Sequence, residues 1–140
     1  MTSKASRLDA PVETVMTHKV VLILEDIPMA EARAVAIQYD HNGFPIVTQE
    51  GSLVGLLTKG DLLRVSRAAF TDPGAWTQPV SRFMAHGVLA LRPTDSIRTA
   101  VEHMVDSGFR SLPVIDADRR VIGMVSRNDL MTAILEEVPV

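Results

Sequence analysis

Displaced by 68 positions, the sequence matches itself without a gap from Val12 to Leu62. Val12 meets Val80, Met16 meets Met84, Ala32 meets Ala100, Pro45 meets Pro113, Gly55 meets Gly123 and Asp61 meets Asp129. Conservative pairs fill the intervals, among them Ile46 with Val114, Thr58 with Ser126 and Lys59 with Arg127. Proline, glycine and aspartate in one register with the apolar positions mean one structural unit written twice, and that constrains the fold more than any local signal.

Each copy reads alike. Pro11 and Pro79 open short helical turns ending at Met16 and Met84, with proline suited to a first helical position. Val20 to Leu24 and Val88 to Leu91 are apolar, β-branched runs that predict strands. Asp26 with Pro28, and Thr94 with Asp95, signal helix starts, and the helices run to about Tyr39 and Ser107. In the second, Ile97, Ala100, Val101, Met104 and Val105 form an apolar stripe at helical spacing. Strands beginning at Pro45 and Pro113 turn through polar loops into Leu53–Leu57 and Val121–Val125, which predicts antiparallel hairpins. Last helices run from near Lys59 to Phe70 and from near Arg127 to Glu137. The unit is β-α-β-β-α, repeated, in an α/β (α+β) chain.

Composition narrows the chemistry. At 140 residues with 46% hydrophobic and 22% charged residues, the chain can bury a core without staples. It has no cysteine, which removes disulfides, thiolate metal sites and cysteine nucleophiles and fits a reducing cytoplasm. The net charge of -3 lacks the basic surplus that phosphate neutralisation demands, so nucleic acid is disfavoured as a partner. No apolar run approaches the ~20 residues of a bilayer span. Met1 to Ala10 has no apolar stretch of the kind a secretory signal needs. The expectation is a cytoplasmic protein without a membrane partner.

Met-Thr near the start, Leu-Pro-Val at 112–114 and Val-Ile-Gly-Met-Val-Ser-Arg-Asn-Asp-Leu at 121–130 resemble the cystathionine β-synthase (CBS) domain. Two in tandem resemble a CBS pair, or Bateman module. The resemblance divides the chain into an N-terminal tail at 1–10, a first repeat at 11–70, a linker at 71–78 with Asp-Pro-Gly turn chemistry, a second repeat at 79–137 and a tail at 138–140. It implies a pseudo-twofold pair of domains, regulatory binding of an adenosine ligand such as AMP, ADP or ATP, and a homodimer. No stretch is left over for a catalytic domain, so no enzyme activity and no cofactor are expected.

Gly55-Leu-Leu-Thr-Lys-Gly-Asp61 and Gly123-Met-Val-Ser-Arg-Asn-Asp129 resemble the family's motif of glycine, two apolar residues, a hydroxyl and an acid three residues on. Each reads as a strand running into a helix N-terminus, whose unpaired N–H groups and positive dipole end suit phosphate. Thr58 and Ser126 add a hydroxyl, and Asp61 and Asp129 can accept both hydroxyls of a ribose. The plainer alternative is that Thr58 and Ser126 are helix caps with favourable first-turn acids. By resemblance, adenine would lie against Val20, Phe44 and Pro45 in one site and Val88, Leu112 and Pro113 in the other; these positions also suit a core. Lys59 in the first site, and Arg110 and Arg127 in the second, are the phosphate candidates, with exposed ion pairing as the alternative. The copies differ here, because Asp40 stands where the family pattern has glycine and Asn42 matches Arg110.

His18 and His86 fall at equivalent positions, but no acidic co-ligands stand at a diagnostic spacing and no metal is expected. No Ser/His/Asp order, metalloprotease motif or P-loop appears. The readings that compete are an adenosine-nucleotide sensor acting on an unknown regulated protein, a sensor of S-adenosylmethionine or a dinucleotide, a structural dimerisation module with vestigial pockets, and, with least support, a nucleotide hydrolase. Ala30, Ala32, Ala34, Val35, Ala36 and Ile37 surround the first long helix, and Leu62, Leu63, Val65, Ala69 and Phe70 broaden the face of another. Helices apolar on several sides expect cover on several sides, here a second copy.

Overall fold

The structure, a computed structural model, describes residues 6–136. Glu137, the expected tail at 138–140 and the first five residues of the expected N-terminal tail lie outside the described residues. The first repeat supplies β1 (Ile23–Leu24), α1 (Met29–Gln38), β2 (Gly43–Val47), β3 (Leu53–Thr58) and α2 (Lys59–Ala69). The second supplies β4 (Ala85–His86), α3 (Ile97–Ser107), β5 (Ser111–Ile115), β6 (Val121–Ser126) and α4 (Arg127–Leu135). The chain is a mixed α/β pair of β-α-β-β-α units related by a pseudo-twofold.

The pairing repeats in register. Ile23 lies parallel to Ile46, and Leu91 lies parallel to Val114 at the matched position of the second unit. Both hairpins are antiparallel, and both slip register at the same place, between Ile46 and Val47 and between Val114 and Ile115. The expected opening strands are shorter than their apolar runs: two residues of Val20–Leu24, and Leu91 alone of Val88–Leu91. Leu22 and Leu89 are exposed, so part of each run approaches the sheet without pairing.

The sequence repeat and the packed unit are not the same object. Thr17 of the first repeat bridges Met124 on β6, while β4 of the second repeat pairs with β3. Val12 N–H donates to the Asp95 carbonyl at 2.7 Å, and Val80 N–H donates to the Ile27 carbonyl at 2.9 Å. Val12 is buried in the core of Leu112, Val114 and Val125; Val80 and Met84 are buried in the core of Phe44, Ile46 and Leu57. Each leading segment, expected to belong to its own copy, instead completes the other. Pro11 and Pro79 cap their short 3-10 turns from outside, one residue earlier than expected.

Glycine at 55 and 123 makes this exchange possible. A Cβ on Gly55 would stand 2.6 Å from Met84 Sδ, and one on Gly123 would stand 2.6 Å from Met16 Sδ. Each exchanged methionine thus fills the space that a side chain would occupy. The two halves also touch at their symmetric centre, where Ser111 Oγ stands 3.3 Å from the place of a Gly43 Cβ. Further out, Leu53 N–H donates to the Arg119 carbonyl at 3.0 Å and the Arg119 guanidinium donates to the Leu53 carbonyl at 3.1 Å.

Residues 71–78, expected as a linker, carry a 3-10 turn at Pro73–Thr77, opened by the Asp72 carboxylate accepting from Gly74 N–H. Ala75 is buried there, and Arg33 of α1 lies 4.4 Å over the Trp76 ring. The start of α3 is also displaced: Ser96, not Thr94 or Asp95, accepts from Thr99 N–H at 3.0 Å. Asp95 accepts from Arg92 N–H one turn earlier.

Candidate functional site

Both hydroxyl-to-acid motifs form reciprocal capping boxes, the plainer of the two readings of Thr58 and Ser126. Thr58 N–H donates to Asp61 Oδ2 at 2.8 Å, and Asp61 N–H donates to Thr58 Oγ1 at 3.3 Å. In the second copy, Ser126 N–H donates to Asp129 Oδ2 at 2.8 Å and Asp129 N–H donates to Ser126 Oγ at 3.1 Å. Each box satisfies two first-turn donors, and at α4 a third is taken as well, Arg127 N–H donating to the Arg110 carbonyl at 3.0 Å.

A cavity of about 440 Å³ opens at the N-terminus of α2. Thr58, Lys59, Gly60 and Asn42 line it from the first repeat, and Ser107 to Arg110 line it from the second. A second cavity, about 190 Å³, lies at the N-terminus of α4. Ser126, Asp129, Met124 and Ser111 line it from the second repeat, and Thr17, Lys19 and Asp40 to Gly43 line it from the first. Both clefts are built between the repeats, and Asn42 stands in the wall of each.

The site residues expected from sequence distribute unevenly. Thr58 and Lys59 share the first cleft, and Ser126 and Asp129 share the second. Arg110, expected beside Ser126, lines the cleft at Thr58 instead. Arg127 turns toward the groove between α3 and α4 and donates to the Gly108 carbonyl at 3.2 Å. Asp61 is 2% exposed and lines neither cleft. Phe44 and Leu112 are core residues, and Pro45 and Pro113 are buried with them because β2 and β5 are covered on both faces. Val20 and Val88 are half-buried and line neither cleft.

Charge in the clefts follows the sequence differences between the copies. α3 ends at Gly108, with φ 74° in the left-handed region, a conformation that costs a side chain. The matched residue in α1's exit is Asp40, and the cap at Tyr39 is extended instead. Asp40 pairs with Lys59, Oδ1 to Nζ 2.6 Å. The lysine's hydrogen bond and charge hold the Asp40 carboxyl below its ordinary value of 3.8. Lys59 is thereby partly neutralised, and Arg110 is the other cation lining the first cleft.

Sequence reasoning did not pick out Thr17, Lys19, His41 or Ser111 for the second cleft. His41 stacks on Phe44, centroids 5.6 Å apart and planes 11° from parallel. Only the exchange of leading segments brings Thr17 and Lys19 to Asp129, and no local pattern encodes it. Among the described residues, no group of three or more His, Asp or Glu side chains could hold a metal ion. No helix among them is long and apolar enough to cross a membrane.

The fold and paired motifs define a tandem of two small α/β repeats. The CBS domain profile matches residues 12–68 and 80–136, and the chain belongs to the CBS-domain family. It is 34% identical over 125 residues to a homoserine O-acetyltransferase of Methanohalobium evestigatum, covering 89% of this chain and 24% of that one. An uncharacterised 17.7 kDa protein of Acidianus ambivalens is 25% identical over 89% of this chain and 73% of its own. The chain thus spans about a quarter of the enzyme relative's length. The structure of CBSX2 in complex with AMP superposes with a TM-score of 0.79 at 23% identity, over 91% of this chain and 97% of that one. The CBS pair of protein MJ0100, in complex with 5-methylthioadenosine and S-adenosyl-L-methionine, gives 0.78 at 22% identity, over 92% and 98%.

Proposed function

We propose that the chain is a regulatory module that binds an adenosine-containing ligand in the clefts between its repeats, without catalysing a reaction on it. The observation that carries this reading is Asp129. Its Oδ2 is engaged in the capping box, and its Oδ1 has no hydrogen-bond or ion partner among the described residues. It lines a cleft beside the first turn of α4, where its open carboxylate oxygen can accept from ribose hydroxyls. Similarity to proteins solved with AMP and with S-adenosyl-L-methionine supports the same ligand class. Binding between the repeats would shift their relative arrangement by no more than the ligand's differential affinity for the two states.

AMP, ADP, ATP and S-adenosylmethionine all present the ribose that this reading requires. Mass spectrometry of ligand released from purified protein, followed by calorimetry with these four, identifies the ligand. Asp129→Ala weakens binding by about 1–3 kcal/mol, the range for losing hydrogen bonds to a charged group. The 2′-deoxy form of the ligand loses a comparable part on the unaltered protein. Unchanged affinity in both tests removes the ribose assignment. The same reading includes a homodimer, supported by apolar side chains left open on the helices: Ile37, Leu63 and Phe70 are 78%, 73% and 81% exposed.

A further inference from the structure

The two motifs align position for position, yet the acids differ in their contacts: Thr58 Oγ1 also donates to Asp61 Oδ2 at 3.1 Å, and one further contact falls on Oδ1. Asp61 Oδ1 is paired with the guanidinium of Arg64, one turn along α2. The position matching Arg64 in the second repeat is Thr132, whose hydroxyl donates to the Asn128 carbonyl at 3.0 Å and stays off the carboxylate. With Oδ2 of both acids committed to capping, Arg64 occupies the remaining oxygen of Asp61, and nothing occupies that of Asp129 among the described residues. Burial agrees: the Asp61 side chain is 3% exposed beneath an Arg64 that is 61% exposed, and Asp61 is absent from the cleft at α2.

Room does not explain the difference. The cleft at Thr58, about 440 Å³, is the larger, and it lacks an accessible carboxylate. The cleft at Asp129, about 190 Å³, has an unpaired one in Asp129 beside an Asp40 already paired with Lys59, and it adjoins the larger cleft at Asn42. A bound ribose hydroxyl must displace a charged, hydrogen-bonded guanidinium to reach Asp61, and at Asp129 it displaces water. Interactions with ionised groups exceed those between neutral ones, so this exchange disfavours the first site.

We propose that Arg64 is an internal occupant of the first ribose position, so that each chain binds one nucleoside ligand, anchored at Asp129. The proposal rests on the adenosine reading above and adds the stoichiometry and its cause. A ligand anchored there has its remaining length directed past Asn42 toward Arg110 and the N-terminus of α2.

Calorimetry of the full chain with ATP tests it by exchanging the two matched residues. The unaltered protein binds one ATP per chain. Arg64→Thr, which gives the first repeat the second repeat's residue, raises this to two, and adding Asp61→Ala returns it to one. Thr132→Arg places a guanidinium over Asp129 and weakens binding at least about tenfold. Thermal unfolding of each variant separates loss of a site from loss of the fold. Two sites per chain in the unaltered protein, or one in a folded Arg64→Thr, overturns the proposal while leaving the adenosine reading intact. No binding of AMP, ADP, ATP or S-adenosylmethionine by the unaltered protein overturns that reading and this inference with it.

Discussion

Gly55→Ala tests the exchange of leading segments where the structure is tightest. The new Cβ would stand 2.6 Å from Met84 Sδ, 2.9 Å from Met84 Cγ and 2.8 Å from the Ala85 carbonyl oxygen. A methionine can swing away, but the carbonyl is held by the β3–β4 pairing, in which Gly55 faces His86 and Leu56 faces Ala85. Overpacking of this kind costs about 1–3 kcal/mol, offset by about 0.4–1 kcal/mol because alanine restricts the unfolded chain. The rigid carbonyl at 2.8 Å puts Gly55→Ala near the upper end, a net loss of about 2 kcal/mol. At Gly123 the corresponding contacts are 2.6 Å and 3.1 Å to a half-buried Met16 and 3.1 Å to the Thr17 carbonyl. Met16 can swing away, and the Thr17 carbonyl, although it accepts from Met124 N–H at 2.9 Å, stands at 3.1 Å where Ala85's stands at 2.8 Å, so Gly123→Ala costs about 1 kcal/mol or less. For a chain of this size about 3 °C accompanies each kcal/mol, so midpoints fall by about 6 °C and about 3 °C. Urea unfolding of both variants beside the unaltered protein measures the difference. Adding Met84→Ala to Gly55→Ala removes the sulfur contact and leaves the carbonyl one, so the double variant is less destabilised than the two single effects summed. A Gly55→Ala protein as stable as the original, or one less affected than Gly123→Ala, refutes the packing argument.

Light scattering at micromolar concentration gives twice the chain mass, and Leu63→Glu or Ala34→Glu shifts it toward monomer. Both residues are exposed on the single chain, so an unchanged mass in both variants places the interface elsewhere. The surface buried should reach at least about 1,000 Å² in total. Lys59→Met returns the Asp40 carboxyl toward its ordinary value, read by carbon NMR as a rise in its titration midpoint. Because the pair lowers Asp40, its contribution to stability is present above the unfolded-state value and is lost as pH falls through the lowered folded one, that is, below 3.8. Salt weakens this contribution, since Asp40 is fully exposed. An Asp40 midpoint that Lys59→Met does not move assigns the ion pair no electrostatic role.

Periodicity and turn chemistry made the repeated unit readable, because the residues that terminate helices and turn hairpins act locally. Thr58 and Ser126 are legible as helix starts on that ground, and the structure gives both a complete capping box. The opening strands were overread, since an apolar run such as Val20–Leu24 packs partly through side chains and pairs at only two residues. Phe44 and Leu112 read equally as slot or core because β2 and β5 are buried at every residue, which erases the alternation that would assign a face. The exchange of leading segments lay beyond local signals altogether. Its trace was present in the matched glycines and methionines, but a self-comparison aligns Met16 with Met84 and cannot say which of Gly55 and Gly123 either one meets. The difference between Arg64 and Thr132 was equally visible in the aligned copies. It gained meaning only when side-chain geometry put the guanidinium on Asp61.

The exchange also decides which differences between the copies matter to which cleft. If each repeat folded on itself, Asn42 would belong to the first cleft and Arg110 to the second, and the second would hold the stronger anion contacts. Because the clefts form between repeats, Arg110 faces the N-terminus of α2, and Asn42 stands where the two clefts adjoin. Backbone positions stay equivalent, down to the register slips in both hairpins and the methionine over each glycine. Among the departures that bear on the clefts are Asp40 with Gly108, Asn42 with Arg110, Arg64 with Thr132, and Lys19 with Gly87. The first diverts Lys59 into an ion pair, the second puts Arg110 in the cleft at α2, the third leaves an open carboxylate at Asp129, and the fourth places Lys19 in that second cleft. On the one-ligand proposal the symmetric frame carries one recognition surface, with the ribose acceptor Asp129 on one side of Asn42 and Arg110 with the N-terminus of α2 on the other. A nucleotide has that same polarity along its length, which two equivalent sites would have no reason to reproduce.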